Sequence, residues 1–169
     1  MKRLQKICFV LMLITFPSVH AGSCFGKPGD FDDCLIKAKQ GDARAQYALG
    51  WIYRGNKDIP NDVTEDYEES VKWYRKAAEQ GHAKSQTWLG AMYDMGLGVN
   101  LDNKEAIKWY RKAADQDNAL GQLRLASFYS QGKGVAKNLK EAEKLYLRSA
   151  SYNGDYDYAK KMIKEMYAD

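Results

Sequence analysis

The stretch Lys72-Trp73-Tyr74-Arg75-Lys76-Ala77-Ala78 returns as Lys108-Trp109-Tyr110-Arg111-Lys112-Ala113-Ala114, and again, worn, as Lys144-Leu145-Tyr146-Leu147-Arg148-Ser149-Ala150. The offset from Trp73 to Trp109 and from Trp109 to Leu145 is 36 residues each time. A fixed period of that size means one supersecondary unit stacked on copies of itself. Such a unit cannot bury its apolar face alone, so every copy needs a neighbour.

Between these blocks lies a second recurring frame. Gln46, Leu49, Gly50 and Tyr53 return as Gln86, Leu89, Gly90 and Tyr93, and as Gln122, Leu125, Ala126 and Tyr129. Leu and Tyr four apart lie on one face of a helix, which predicts first helices over Ala43 to Tyr53, Ala83 to Tyr93 and Ala119 to Tyr129. Glycine inside a helix costs up to ~1 kcal/mol against alanine, so Gly50 and Gly90 point to a close approach by a partner helix. Gly96-Leu97-Gly98-Val99 and Gly132-Lys133-Gly134-Val135 stop the first helices. Second helices are expected from Asp66, Asp102 and Asn138, each followed three residues later by Glu69, Glu105 or Glu141 in a capping-box pattern. The first unit spends 20 residues between Tyr53 and Trp73 where the second spends 16 between Tyr93 and Trp109. Its extra residues, around Pro60, are expected to bulge as a surface loop. Ala38-Lys39-Gln40-Gly41 matches Ala78-Glu79-Gln80-Gly81, so a helix over Phe31 to Gln40 reads as an N-terminal cap. A lone helix over Tyr158 to Tyr167 reads as the C-terminal one. The expected division is a signal peptide over 1–21, leader and cap over 22–41, units over 42–81, 82–117 and 118–153, and a closing cap over 154–169.

The signal peptide rests on Lys2, Arg3 and Lys6, the apolar run Ile7 to Phe16, and the Val19-His20-Ala21 step before Gly22. The run is too short to span a bilayer, and no later stretch is long and apolar enough, so no integral membrane span is expected. The chain has 26 basic and 22 acidic residues. Loss of the three basic residues of the signal leaves 23 against 22, with no basic block of nucleic-acid-binding density. The mature chain, expected in the periplasm or secreted, keeps Cys24 and Cys34. In an oxidising compartment they are expected to form a disulfide; the competing reading makes Cys24 a lipidated first residue.

The pattern Ala-x-x-x-Leu-Gly-x-x-Tyr-x-x-Gly-x-Gly-Val, then Asp-x-x-x-Ala-x-x-Trp-Tyr-x-Lys-Ala-Ala, resembles the Sel1-like repeat family, a relative of the tetratricopeptide repeat. The match is close in the second unit, good in the third and looser in the first. The resemblance implies an all-α solenoid of antiparallel helix pairs in a right-handed superhelix. It further implies a protein-binding module rather than an enzyme, such as an assembly adaptor or an immunity partner of a secreted toxin. Cysteine-rich relatives imply an alternative, β-lactam binding or hydrolysis. Those relatives carry a cysteine pair in each repeat, and this chain has none inside its full repeats.

Residues with chemistry to offer are few. His82, the one histidine of the mature chain, reads as a turn residue between units, and one histidine beside two paired cysteines makes no zinc site. Ser130-Gln131-Gly132-Lys133 fits the Ser-x-x-Lys motif of penicillin-recognising enzymes, but the companion Ser-Asp-Asn and Lys-Thr-Gly motifs are absent. No catalytic residue, cofactor or metal is expected. Trp73, Trp109 and the shared tyrosines recur at frame positions and read as core. Trp109 is expected to fill the seam between the second and third units. Trp51 and Trp88 break the frame, since the third unit has Ser127 and Arg124 there, and an aromatic that breaks a repeat is a binding candidate. Counting along the first helices gives a candidate concave protein-binding surface. It comprises Arg44, Tyr47, Trp51 and Arg54; then Lys84, Thr87, Ala91 and Asp94; then Leu120, Leu123, Ser127 and Gln131. The first set joins two aromatics to two arginines, which suits an acidic, partly apolar protein partner.

Overall fold

The computed structural model describes residues 30–55 and 64–168. These form α1 (Asp30–Lys39), α2 (Ala43–Tyr53), α3 (Tyr67–Glu79), α4 (Ala83–Met95), α5 (Asn103–Asp115), α6 (Ala119–Gln131), α7 (Leu139–Asn153) and α8 (Tyr156–Met166), with no strand among the described residues. Each helix packs on its neighbours in sequence, and the first helices α4 and α6 also touch one another. The result is an all-α solenoid of the pairs α2–α3, α4–α5 and α6–α7, with α1 and α8 at its ends. The expected signal peptide, Cys24 and the tip of the first unit's extra loop, 56–63, lie outside the described residues.

The helix ends follow from their cap residues. Asp66, Asp102 and Asn138 accept the backbone N–H of Glu69, Glu105 and Glu141 at 2.9, 3.0 and 3.1 Å, satisfying one of the orphan donors of each first turn. The glutamate side chains pair with the lysine three residues on, as Glu69–Lys72, Glu105–Lys108 and Glu141–Lys144. Asp42, His82 and Asn118 cap the first helices. α4 and α6 run two residues beyond the tyrosines expected to end them. Each closes at a glycine with positive φ, Gly96 at 68° and Gly132 at 70°, the left-handed cap that glycine takes without penalty.

The frame residues meet in the seams. A Cβ on Gly50 would stand 2.5 Å from the Tyr74 ring and one on Gly90 2.8 Å from the Tyr110 ring. The glycines are therefore there to seat the tyrosine of the paired helix. Trp109 corrects the expected register. It packs with Val71, Tyr74 and Ala78 of α3 and Leu89 and Met92 of α4, so it fills the seam between the first and second units rather than the next one. Trp73 likewise reaches back, to Cys34 and Ala38 of α1 and Ala45, Leu49 and Ile52 of α2. The period gives the phase of such a residue but not which neighbour it leans on.

A ladder of glutamines ties the units together. Gln46, Gln86 and Gln122 donate through Nε2 to the carbonyls of Ala38, Ala78 and Ala114 at 3.0, 3.1 and 3.3 Å. Those carbonyls sit at the C-terminal end of the preceding helix, where they also accept the backbone N–H of Gly41, Gly81 and Asp117. Gln80 and Gln116 then donate to the side-chain oxygens of Gln46 and Gln86, both at 2.7 Å. The matching position in the third unit is Tyr152, and the buried Oε1 of Gln122 has no hydrogen-bond partner.

Candidate functional site

The first turns of α2, α4 and α6 and the turns that precede α4 and α6 enclose a groove of about 870 Å³. Arg44 and Tyr47 come from α2, Lys84, Thr87 and Trp88 from α4, and Ala119 and Leu120 from α6; His82, Gln116, Asp117 and Asn118 complete it from the turns. Three successive units therefore contribute to one surface.

His82 holds the middle of this groove. Its Nδ1 accepts the Ser85 backbone N–H at 3.3 Å and lies 2.8 Å from the Ser85 hydroxyl. The Tyr47 ring stands 5.1 Å from the imidazole, centroid to centroid. Burial, followed by the neighbouring Lys84 and Arg44 charges, pushes its pKa below the usual histidine value, with Asp42 opposing. The neutral ring is the form that caps α4, because a protonated Nδ1 cannot accept.

The candidate residues divide three ways. Arg44, Tyr47, Lys84 and Thr87 come together in the groove, joined by Leu120. Tyr47 packs against Tyr74 of its own unit and His82 at the start of the second. Thr87 is only 2% exposed, and its hydroxyl lies 3.0 Å from the Asn118 side-chain oxygen and 3.2 Å from the Ala83 carbonyl. Trp51 and Arg54 line a separate depression of about 300 Å³ with Gly55, Tyr67 and Leu97. The Arg54 guanidinium stacks 3.8 Å above the Trp88 ring and so links the two depressions. Asp94 faces inward instead. It pairs with Lys133 of the third unit's linker and accepts the Tyr110 hydroxyl at 3.5 Å.

His82 and Asn118 escaped the count along the first helices, because they precede the first helical residue. A signal was there: the cap position holds Asp42, His82 and Asn118 in turn, three chemistries at one structural place. The two polar residues of the Ser-x-x-Lys match have other occupations. Ser130 donates to the Ser127 carbonyl at 3.0 Å and Lys133 is committed to Asp94. Among the described residues no three His, Cys, Asp or Glu side chains converge as a metal would require.

The charges on this face are one-sided. α2, α4 and α6 together carry Arg44, Lys84 and Arg124 and a single acid, Asp94, already paired with Lys133. Arg44, Lys84 and Arg124 form no ion pair among the described residues, whereas Lys72, Lys108 and Lys144 on the second helices each face a glutamate.

The sequence model of the Sel1 repeat family matches residues 43–82, 83–118 and 119–151. The chain belongs to the Sel1 repeat family. A protective antigen present in uropathogenic Escherichia coli strains, displaying an SLR fold, superposes with a TM-score of 0.73 at 33% identity, over 82% of this chain and 28% of that one. A Sel1 repeat protein from Oxalobacter formigenes gives 0.72 at 33% identity, over 82% of this chain and 55% of its own. This Sel1 chain thus spans less than two thirds of the length of both. Cysteine rich protein B of Helicobacter pylori shares the fold at 23% identity, with a TM-score of 0.58 over 79% of this chain and 92% of that one. No curated protein sequence matches the chain. Sel1 repeats are in general protein-interaction modules, and no described helix is long and apolar enough to cross a membrane.

Proposed function

We propose that this Sel1 repeat protein is an exported interaction module that holds one partner protein on the face lined by its first helices, as an immunity or assembly factor in the periplasm or outside the cell. The observation that carries the reading is the groove of about 870 Å³ to which three units contribute. A surface built across repeats exists only in the assembled stack, which is how solenoids recognise extended partners. Export rests on the Lys2-to-Ala21 segment, with a mature chain beginning at Gly22. The Cys24–Cys34 bond belongs to the same proposal. Cys34 is fully buried against α2, its sulfur 3.6 Å from the Ala45 carbonyl oxygen, and a bond there ties the leader to the N-terminal edge.

The test replaces Lys84 with a photo-crosslinking amino acid in the exporting cell, and Lys72 of the outer helix in a second strain. Irradiation is expected to trap one protein through position 84 and not through position 72, and the purified pair is expected to bind. Equal trapping from both positions, or none from either, would overturn the assignment of this face. N-terminal sequencing of the same sample checks that the chain begins at Gly22.

A further inference from the structure

We infer that the groove selects an acidic protein segment bearing apolar side chains, with carboxylates meeting Arg44 and Lys84 and an apolar residue resting among Tyr47, Trp88 and Leu120. This rests on the interaction reading above and adds the chemistry of the partner. The argument is one of unspent charge. With the signal removed, the chain is close to neutral, so a cationic surface is not the default. Several cations elsewhere on the solenoid are answered: Lys72, Lys108 and Lys144 by glutamates one turn away, Arg148 by Asp117 at 2.6 Å, Lys133 by Asp94. Other lysines, such as Lys104 and Lys140, form no ion pair among the described residues, so what sets Arg44 and Lys84 apart is that both line one groove. Arg44 and Lys84 are the groove's cations and neither is answered among the described residues. Asp117, the groove's carboxylate, is already bound by Arg148. Charge complementarity of this kind sets partner choice and encounter rate more than it sets total affinity.

Position strengthens the point. Arg44 and Lys84 sit in the first turns of α2 and α4, where the helix dipole favours an acid and disfavours a cation. The second helices carry acids there, Glu68, Glu69, Glu105 and Glu141, beside Lys104 and Lys140 in α5 and α7. The first helices α2 and α4 have no acid in their first turn to offset Arg44 and Lys84, on the face that three units share. The apolar half of the site is equally placed. Leu120 is 39% exposed at the groove's far wall, and Trp88 is held by the Arg54 guanidinium from the neighbouring depression.

The experiment uses the mature protein and three labelled short peptides that alternate leucine with glutamate, glutamine or lysine, read by fluorescence anisotropy. The glutamate peptide is expected to bind at least tenfold more tightly than the glutamine one, with affinity falling as salt rises. The lysine peptide is expected not to bind. Arg44→Glu with Lys84→Glu is expected to abolish the preference while the fold holds, because both new carboxylates lie at helix N-termini. Melting by circular dichroism verifies this. His82→Asp adds a carboxylate where the first unit already caps with Asp42, and is expected to weaken the glutamate peptide at least threefold. His82→Asn, the cap of the third unit, controls for the lost ring. Equal binding of the glutamate and glutamine peptides, or a charge reversal that leaves the preference intact, overturns the inference. If position 84 still traps a partner while the peptides show no charge preference, the interaction reading survives and the acidic segment does not.

Discussion

Tyr74 in the first unit and Tyr110 in the second occupy the same place, and their hydroxyls end differently. Both rings are fully buried over a glycine of the paired helix. The Tyr110 hydroxyl donates to Asp94, whereas the Tyr74 hydroxyl has no partner. The residue that stands where Asp94 does is Arg54, and it lies over Trp88 instead. The ring is what stacking needs, and both units keep it. The acceptor is local, and the first unit has exchanged it for a cation that stacks on Trp88. Differences between units therefore separate what the fold needs from what it merely permits.

The largest expected break in this comparison comes from the tryptophans. Trp109→Ala should cost about 3–5 kcal/mol, as buried aromatic truncations do, because it empties the seam between the first and second units. Trp73→Ala should cost less, since the seam it opens, between α1 and the α2–α3 pair, joins a single capping helix rather than a whole unit to the stack, and each repeat interacts with its nearest neighbours alone. Urea denaturation of both variants decides. A larger loss for Trp73 would mean that the N-terminal cap, not the central seam, holds the stack.

Next come the glycines under the tyrosines. Gly90→Ala should cost about 1–3 kcal/mol by overpacking, since the new methyl falls 2.8 Å from the Tyr110 ring. The third unit already holds Ala126 at this place, so Ala126→Gly should cost up to ~1 kcal/mol, for helix propensity alone. Thermal melts of the two variants check the order.

That contrast shows what the sequence could disclose. The all-α solenoid, the caps at Asp66, Asp102 and Asn138 and the close approach at Gly50 and Gly90 were legible, because each repeats and repetition averages out accident. The seam chosen by Trp109 was not, because a period is symmetric and a side chain's lean is not. The site was half legible. Arg44, Tyr47, Lys84 and Thr87 share one groove, but Trp51 and Arg54 turn to a second depression and Asp94 turns inward to Lys133. Pairs made between units at long sequence separation, such as Asp94 with Lys133, leave no local pattern to read. His82 was hidden for a different reason: its cap role makes it look like a turn residue.

The hydroxyls themselves offer a test by sign. Tyr74→Phe removes a buried polar group that has no partner and should stabilise by about 1 kcal/mol, whereas Tyr110→Phe breaks a hydrogen bond and should destabilise by about the same. Chemical denaturation of the two variants measures this. Shifts of the same sign would mean that the Tyr74 hydroxyl is satisfied after all, and would remove the reason to regard Arg54 as a departure from the frame.

The smallest expected effect lies at the cap position, where the units differ most openly. His82→Asn puts the third unit's cap into the second, and near pH 8 it should alter stability by less than about 0.5 kcal/mol, since asparagine caps well. The pH dependence is where the two proteins part. Burial and the Lys84 and Arg44 charges lower the His82 pKa in the folded state, so between the folded and unfolded values the unfolded chain binds more protons. Stability then rises with pH. His82 contributes its full share above the unfolded value, ~6.5, and loses it as pH falls through the lower folded one. Protonation also takes the acceptor from the Ser85 N–H, which asparagine keeps at any pH. The melting temperature of the wild type should therefore fall relative to His82→Asn on going from pH 8 to pH 5. Parallel curves would show that His82 titrates as it does in the unfolded chain. A wild type that gained stability on acidification would place an unrecognised carboxylate against the ring.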